Sequence, residues 1–153
     1  MELDIHEITA RLPHRYPMLL IDRVLELVPQ ERILAVKNVS AGDSFSRGTD
    51  GGNLPMPGPL ILEAMAQAAA LFSFAEKGAG KSTHERPEEA AAVYYFLGVD
   101  DAKFLRPVLA GDCLRLDVRA LRLSRSICKY RGQAYVGQEM VAEATLLCAV
   151  RST

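Results

Sequence analysis

Apolar positions recur along this chain with two periods, and the change from one to the other divides it. Near the start, Ile5, Ile8 and Leu12 fall three and four apart, the spacing of one helix face. Asp4 with Glu7 three positions on forms a capping-box pattern, so a short helix is predicted to open there and to end before Pro13. Leu19–Val28 and Ile33–Ser40 are dense in aliphatic and β-branched residues on either side of Pro29-Gln30-Glu31, the pattern of a hairpin. Ala41–Pro59 reads as a long loop. Leu60–Lys77 is then continuous in good helix formers, with Pro57 and Pro59 suited to a first turn and Gly78 to a C-terminal cap. Ala64, Ala66, Ala68, Ala69, Ala70, Leu71 and Phe72 leave this helix almost no polar face, so it should be wrapped rather than laid on a surface.

A polar connector, Gly78–Glu89, follows, and beyond it the period is that of strands. Val93–Val99, Cys113–Ser124, Ile127–Val136 and Met140–Val150 alternate or run apolar, with turns at Gly111-Asp112 and Gly137-Gln138. No internal repeat is evident. One long early helix among strands predicts an α+β architecture, a meandering antiparallel sheet curled around the helix.

Composition narrows the function classes. At 153 residues and 49% hydrophobic content, residues 1–153 form one domain able to bury a core without metal or disulfide support. A net charge of −1 supplies no broad basic surface, so nucleic acid is not an expected partner. Cys113, Cys128 and Cys148 are widely spaced and odd in number; they read as reduced apolar fillers and point to the cytoplasm. Met1–Arg11 carries Glu2, Asp4 and Glu7 without the apolar stretch of a leader, and no apolar run reaches a membrane span. Gly78–Thr83, GAGKST, imitates the tail of a phosphate-binding loop. Ala75 stands where that loop requires glycine, and the segment closes a helix instead of opening one, so nucleotide binding is rejected.

The informative chemistry lies between Gly48 and Gln67, where a Pro/Gly-rich turn precedes an apolar helix carrying one carboxylate, Glu63. Burial disfavours ionisation, so an isolated Glu63 is expected to have its pKa raised, as suits a general acid. Glu63 and Gln67 lie four apart on one helix face and are the only polar side chains between Pro59 and Phe72, so Gln67 can orient the carboxyl group. From these residues alone, a structural Glu satisfied by a backbone amide or a partner chain is as good a reading as a catalytic one.

Leu12–Asp22 (LPHRYPMLLID), Lys37-Asn38-Val39, Met56-Pro57-Gly58, Glu63–Gln67 (EAMAQ), Phe96–Lys103 (FLGVDDAK), Arg106-Pro107-Val108 with Gly111-Asp112, and Val141–Ala149 follow one another in a familiar order. Through them the chain resembles the FabZ-type (3R)-hydroxyacyl-[acyl-carrier-protein] dehydratases, which have a hot-dog fold. The resemblance implies dehydration of acyl thioesters, carried on acyl carrier protein or coenzyme A, in fatty-acid or related acyl-chain synthesis. It implies no metal and no cofactor. It also implies a homodimer, in which Glu63 faces the position-49 region of a second subunit, and further assembly to hexamers.

In the family the catalytic histidine lies in a Gly-His-Phe-Pro segment fourteen residues before the glutamate, and that position is Thr49 here. The resemblance thus assigns Glu63 as acid and the Gly58 backbone N–H, at a helix N-terminus, as donor to the thioester oxygen. The base is missing. Thr49 has no basic character near neutral pH, and Asp50, the better substitute, points away from residue 49 if the segment is extended. His14 is read as a structural hydrogen-bonding residue near an interface, while His6 and His84 look exposed, and none of the three has sequence placement beside Glu63. Tyr94, Tyr95 and Phe96 can wall an acyl tunnel, although core packing explains each singly. Arg122, Arg125, Lys129 and Arg131 place four cations in ten residues, able to meet an acidic carrier protein or simply to be solvated. Three functions follow: a dehydratase impaired by loss of its histidine, a noncatalytic acyl-carrier-binding partner subunit, and an acyl thioesterase using Glu63.

Overall fold

The computed structural model describes residues 1–46, 54–77, 92–124 and 126–152, with side chains for all of these except 72–77, 92–94 and 150–152. Helix α1 (Ile5–Arg11) opens with the anticipated box: the Asp4 carboxylate accepts from the Glu7 N–H, and the Glu7 side chain accepts from the Asp4 N–H. Ile8 and Leu12 are buried, but Ile5 is 40% exposed, so the apolar side of this helix is narrower than its spacing suggested. Strands β1 (Arg23–Val28) and β2 (Arg32–Asn38) form the hairpin, turning through Gln30 at φ 61°. A 3-10 turn occupies Ser44–Ser46. Helix α2 (Gly58–Lys77) starts two residues earlier than expected, and β3 (Ala92–Phe104), β4 (Cys113–Arg122), β5 (Ile127–Val136) and β6 (Glu139–Ser152) complete the fold.

All six strands pair antiparallel in the order β1-β2-β4-β5-β6-β3. The sheet is therefore not a simple meander, because β3 crosses to the edge beside β6. Helix α2 and the residues around it separate β2 from β3 in the chain, and β3 pairs with β6 alone among the strands. Strand β3 also runs past Val99, through an irregularity where Asp101 takes φ 52°. Leu19–Asp22, in contrast, is not strand. The Leu20 N–H donates to the Gln67 side-chain oxygen, so a helix side chain takes the place of a strand neighbour.

The concave face of the sheet closes over α2. Ala64, Met65, Ala68, Ala69 and Leu71 are fully buried together with Ile33, Ala35, Leu114, Leu116, Val118, Ala142, Ala144 and Leu146. Sheet and helix approach closely at Gly132, where an added Cβ would lie 2.7 Å from Met65 Sδ. The other face is polar: Arg32 makes a two-pronged contact to Asp117, and Arg131 reaches Glu143. Alternation along β4 and β5 separates these faces, a small-residue helix fitting the inner one.

Candidate active site

Glu63 lies on the side of α2 that the sheet leaves open, and its side chain is 25% exposed. Gln67, one turn on, is 1% exposed and acts as a clamp. Its Nε2 donates to Glu63 Oε1 at 2.9 Å and to the Met18 carbonyl at 2.6 Å, while its oxygen accepts the Leu20 N–H at 2.9 Å. Gln67 therefore both orients the carboxylate and straps residues 18–20 along the helix. The strap brings in a group that sequence reasoning placed elsewhere: His14 Nε2 lies 3.3 Å from Glu63 Oε1. Arg15 holds the local backbone by donating to the carbonyls of Thr9, Leu12 and His14. The available signal was a glutamine in an otherwise apolar helix, since a buried amide must find a donor and an acceptor from another segment.

The contacts reverse the expected electrostatics of Glu63. Burial pushes its carboxyl up, but hydrogen bonds from His14 and Gln67 and the electrostatic attraction of the nearby imidazole together hold it below the usual carboxylate range. The contacts from Gln67 and His14 both fall on Oε1; among the described residues Oε2 accepts no hydrogen bond. His14 Nδ1 is buried with no partner among the described residues. On β6, the Cys148 thiol is pushed up to about 11 by burial, by Cys128 and by the Glu63 charge, so it is not a nucleophile near neutrality.

Beside Glu63 runs an open groove of about 360 Å³ lined by Pro59, Leu62, Glu63, Phe96, Leu97, Gly98 and Val99. Among the described residues Glu63 is the only ionisable one in that lining. Phe96 stands in it, whereas Tyr95 is exposed outside it and the Tyr94 side chain lies outside the described residues. Leu97, Gly98 and Val99 were not singled out from the sequence. Gly58 is the first residue of α2, and among the described residues its N–H donates to no acceptor. The Phe104 ring packs on it closely enough that a Cβ at position 58 would lie 2.8 Å from the ring, so the glycine is also required for packing.

Thr49, Asp50 and Arg125 lie outside the described residues, as do His84 and the connector Gly78–Glu89. Arg122 and Lys129 are opposed across β4 and β5, with Arg122 exposed. Arg131 is committed to Glu143 and to Thr145 Oγ1, so less of its charge is free for a partner. Among the described residues no cluster of His, Cys, Asp or Glu could hold a metal ion, and no helix is long and apolar enough to cross a membrane.

The FabA-like domain family matches residues 12–145. The 3-hydroxyacyl-[acyl-carrier-protein] dehydratase FabZ of Bordetella pertussis (strain Tohama I) is 56% identical over 152 residues, covering 99% of this chain and 98% of that one. The enzyme of the same name from Variovorax paradoxus (strain S110) is 49% identical over 149 residues, covering 97% and 95%. Among solved structures, the dehydratase heterocomplex ApeI:P from Xenorhabdus doucetiae superposes with a TM-score of 0.75 at 20% identity, covering 94% of this chain and 90% of that one. The last likeness concerns the fold, which is the hot-dog fold.

Proposed function

We infer the activity from the family to which the chain belongs, the FabA-like domain family of hot-dog dehydratases that includes the 3-hydroxyacyl-[acyl-carrier-protein] dehydratases FabZ. The chain takes 3-hydroxyacyl thioesters of fatty-acid synthesis into the groove beside α2 and eliminates water across the α and β carbons. One observation carries this reading: an ionised carboxylate, Glu63, stands on an apolar groove, and among the described residues one of its oxygens accepts no hydrogen bond. The groove wall of Leu62, Phe96, Leu97 and Val99 suits an acyl chain, and the Gly58 N–H suits a thioester oxygen that gains charge in the reaction.

Turnover is slow relative to family members that carry the histidine, because Thr49 cannot take a carbon-bound proton; loss of a general base costs about 10²–10⁴ in rate. The acyl group arrives on an acidic carrier protein that meets Arg122, Arg125, Lys129 and Arg131, or as a coenzyme A thioester. Free thiols at Cys113, Cys128 and Cys148 suit a reducing cytoplasm. Two copies pair through β3, an edge strand whose Tyr95, Phe96, Leu97 and Val99 are exposed in the single chain, and dimers can stack further to hexamers.

The test is a single-turnover reaction with protein in excess over a 3-hydroxyacyl carrier-protein substrate, followed by mass spectrometry. Enoyl product that disappears in Glu63→Gln is expected. No enoyl product after hours would overturn the reading, and free thiol in its place would assign a thioesterase. Sedimentation of Leu97→Asp against the unaltered chain tests the dimer, with a shift to monomers expected.

A further inference from the structure

We propose that Cys128 and Cys148 are a redox switch: hydrogen peroxide closes them into a disulfide behind the groove wall, and a dithiol reductant reopens it. The two residues are directly opposed in the register of β5 and β6, and both point to the inner face, where they are 4% and 3% exposed. Opposed residues of an antiparallel pair have Cα atoms about 4.5 or about 5.5 Å apart, and a disulfide spans about 4.4–6.8 Å. Either spacing admits the bond without moving a strand. Cys113, by contrast, is exposed and faces Asn38 across the ladder.

Cys128 sits at the end of the inner face. It is the second residue of β5, next to Ile127, which is 45% exposed. The turn before it hangs on the Ser124 hydroxyl, which donates to the Ile127 carbonyl and accepts the Ile127 N–H. The Cys128 thiol itself donates to the Ser124 carbonyl at 3.4 Å. Release of these contacts lets a small oxidant reach Cys128 Sγ while the rest of the core stays closed. The Cys148 thiol is pushed up to about 11 by burial, by Cys128 and by the Glu63 charge, so it is not the first to react.

The chemistry balances in two steps. The Cys128 thiolate attacks one oxygen of the peroxide: an S–O bond forms, the O–O bond breaks, and the departing hydroxide takes the proton the thiol gave up and leaves as water. Cys128 is then a sulfenic acid. Cys148 sulfur attacks Cys128 sulfur: an S–S bond forms, the S–O bond breaks, and hydroxide leaves with the Cys148 proton as a second water. Two thiols are oxidised and one peroxide is reduced. Toward a reagent in solution Cys148 is a poor nucleophile near neutrality, but here its target is held against it, and orientation offsets a small reactive fraction. Oxidation of Cys128 to a neutral group also removes one of the causes that hold the Cys148 thiol up.

Strand β6 lies between β5 and β3, and on its β3 side Cys148 is opposed to Phe96, which lines the groove beside Glu63. A bond to Cys128 draws the Cys148 side chain toward β5 and away from Phe96. The disulfide therefore acts on the groove through a wall residue and not through the carboxylate.

The experiment treats the full chain with hydrogen peroxide at neutral pH and maps its cysteines by peptide mass spectrometry without reduction. In parallel, Phe96 is followed by fluorine NMR of protein carrying fluorophenylalanine, its signal assigned with Phe96→Tyr. A cross-link between the Cys128 and Cys148 peptides, lighter by two hydrogens and lost on treatment with dithiothreitol, is expected in the unaltered chain and in Cys113→Ser. The Phe96 signal should shift as the cross-link forms, return on reduction, and stay fixed under peroxide in Cys148→Ala. Cys128→Ala serves the same purpose if Cys148→Ala does not fold. Cysteines that stay reduced, or that pass to sulfinic acids without joining, would overturn the pair. A cross-link that leaves the Phe96 signal in place would overturn the switch. Neither readout needs turnover, so each outcome stands whether or not the chain is a dehydratase.

Discussion

The two sides of α2 are made on opposite plans. Toward the sheet, Ala64, Met65, Ala68, Ala69 and Leu71 carry no polar side-chain group and are fully buried. Toward the groove, Glu63 and Gln67 are tied to residues 14–20, nearly fifty positions away in sequence. The first side is shape matched to shape, and any comparable apolar set would fill it at some cost in stability. The second is a set of obligatory partners: a buried amide and a carboxylate each fix where another segment must run. One side should govern whether the chain folds, the other what it does once folded.

The largest expected effect tests that division directly. Glu63→Gln should lower kcat/KM by about 10²–10⁴ while leaving the thermal midpoint close to that of the unaltered chain. A midpoint that collapses with the activity would mean that the groove side is structural after all. Met65→Ala should behave in the opposite way, destabilising by about 2–5 kcal/mol in denaturant titration with kcat/KM unchanged under conditions where the protein stays folded. Gln67→Leu sits between the two, because it removes the clamp from both the carboxylate and the strap. It should cost about 1–3 kcal/mol, since the Leu20 N–H and the Met18 carbonyl lose their partner, and it should lower activity as Glu63 loses one of its donors.

The smallest effect is in pH. The Glu63 carboxyl is held below its ordinary range in the folded chain, so its ionised form contributes stability above the unfolded carboxylate range. That contribution is lost as pH falls through the lower, folded value. The difference in thermal midpoint between the unaltered chain and Glu63→Gln should therefore be constant near neutrality and shrink on acidification. Growth of the difference at low pH would contradict the assigned direction.

Most of the fold was legible in the sequence because its determinants are local. The capping box at Asp4 and Glu7, the small-residue face of α2 and the alternation of β4–β6 are each set by neighbours within a few positions. The position of β3 was not, because strand order depends on pairing with β6, whose partner residues lie about fifty positions away in sequence, and nothing local to β3 encodes that. The site divided in the same way. Glu63 and Gln67 were visible as the only polar pair on an apolar helix. His14 was missed because its placement depends on Gln67 clamping Met18 and Leu20, a contact across about fifty residues. The direction of the Glu63 shift was misjudged with it, since burial raises a carboxyl, whereas the contacts from the unseen His14, together with the hydrogen bond from Gln67, lower it.

The most direct measurement is a crystal structure of Glu63→Gln bound to a non-hydrolysable 3-hydroxyacyl-pantetheine analogue. The account predicts the acyl chain along Leu62, Phe96 and Val99, the carbonyl oxygen within hydrogen-bond reach of the Gly58 N–H, and the α-carbon against the free side of residue 63. An acyl chain seated elsewhere, with its α-carbon remote from residue 63, would contradict it.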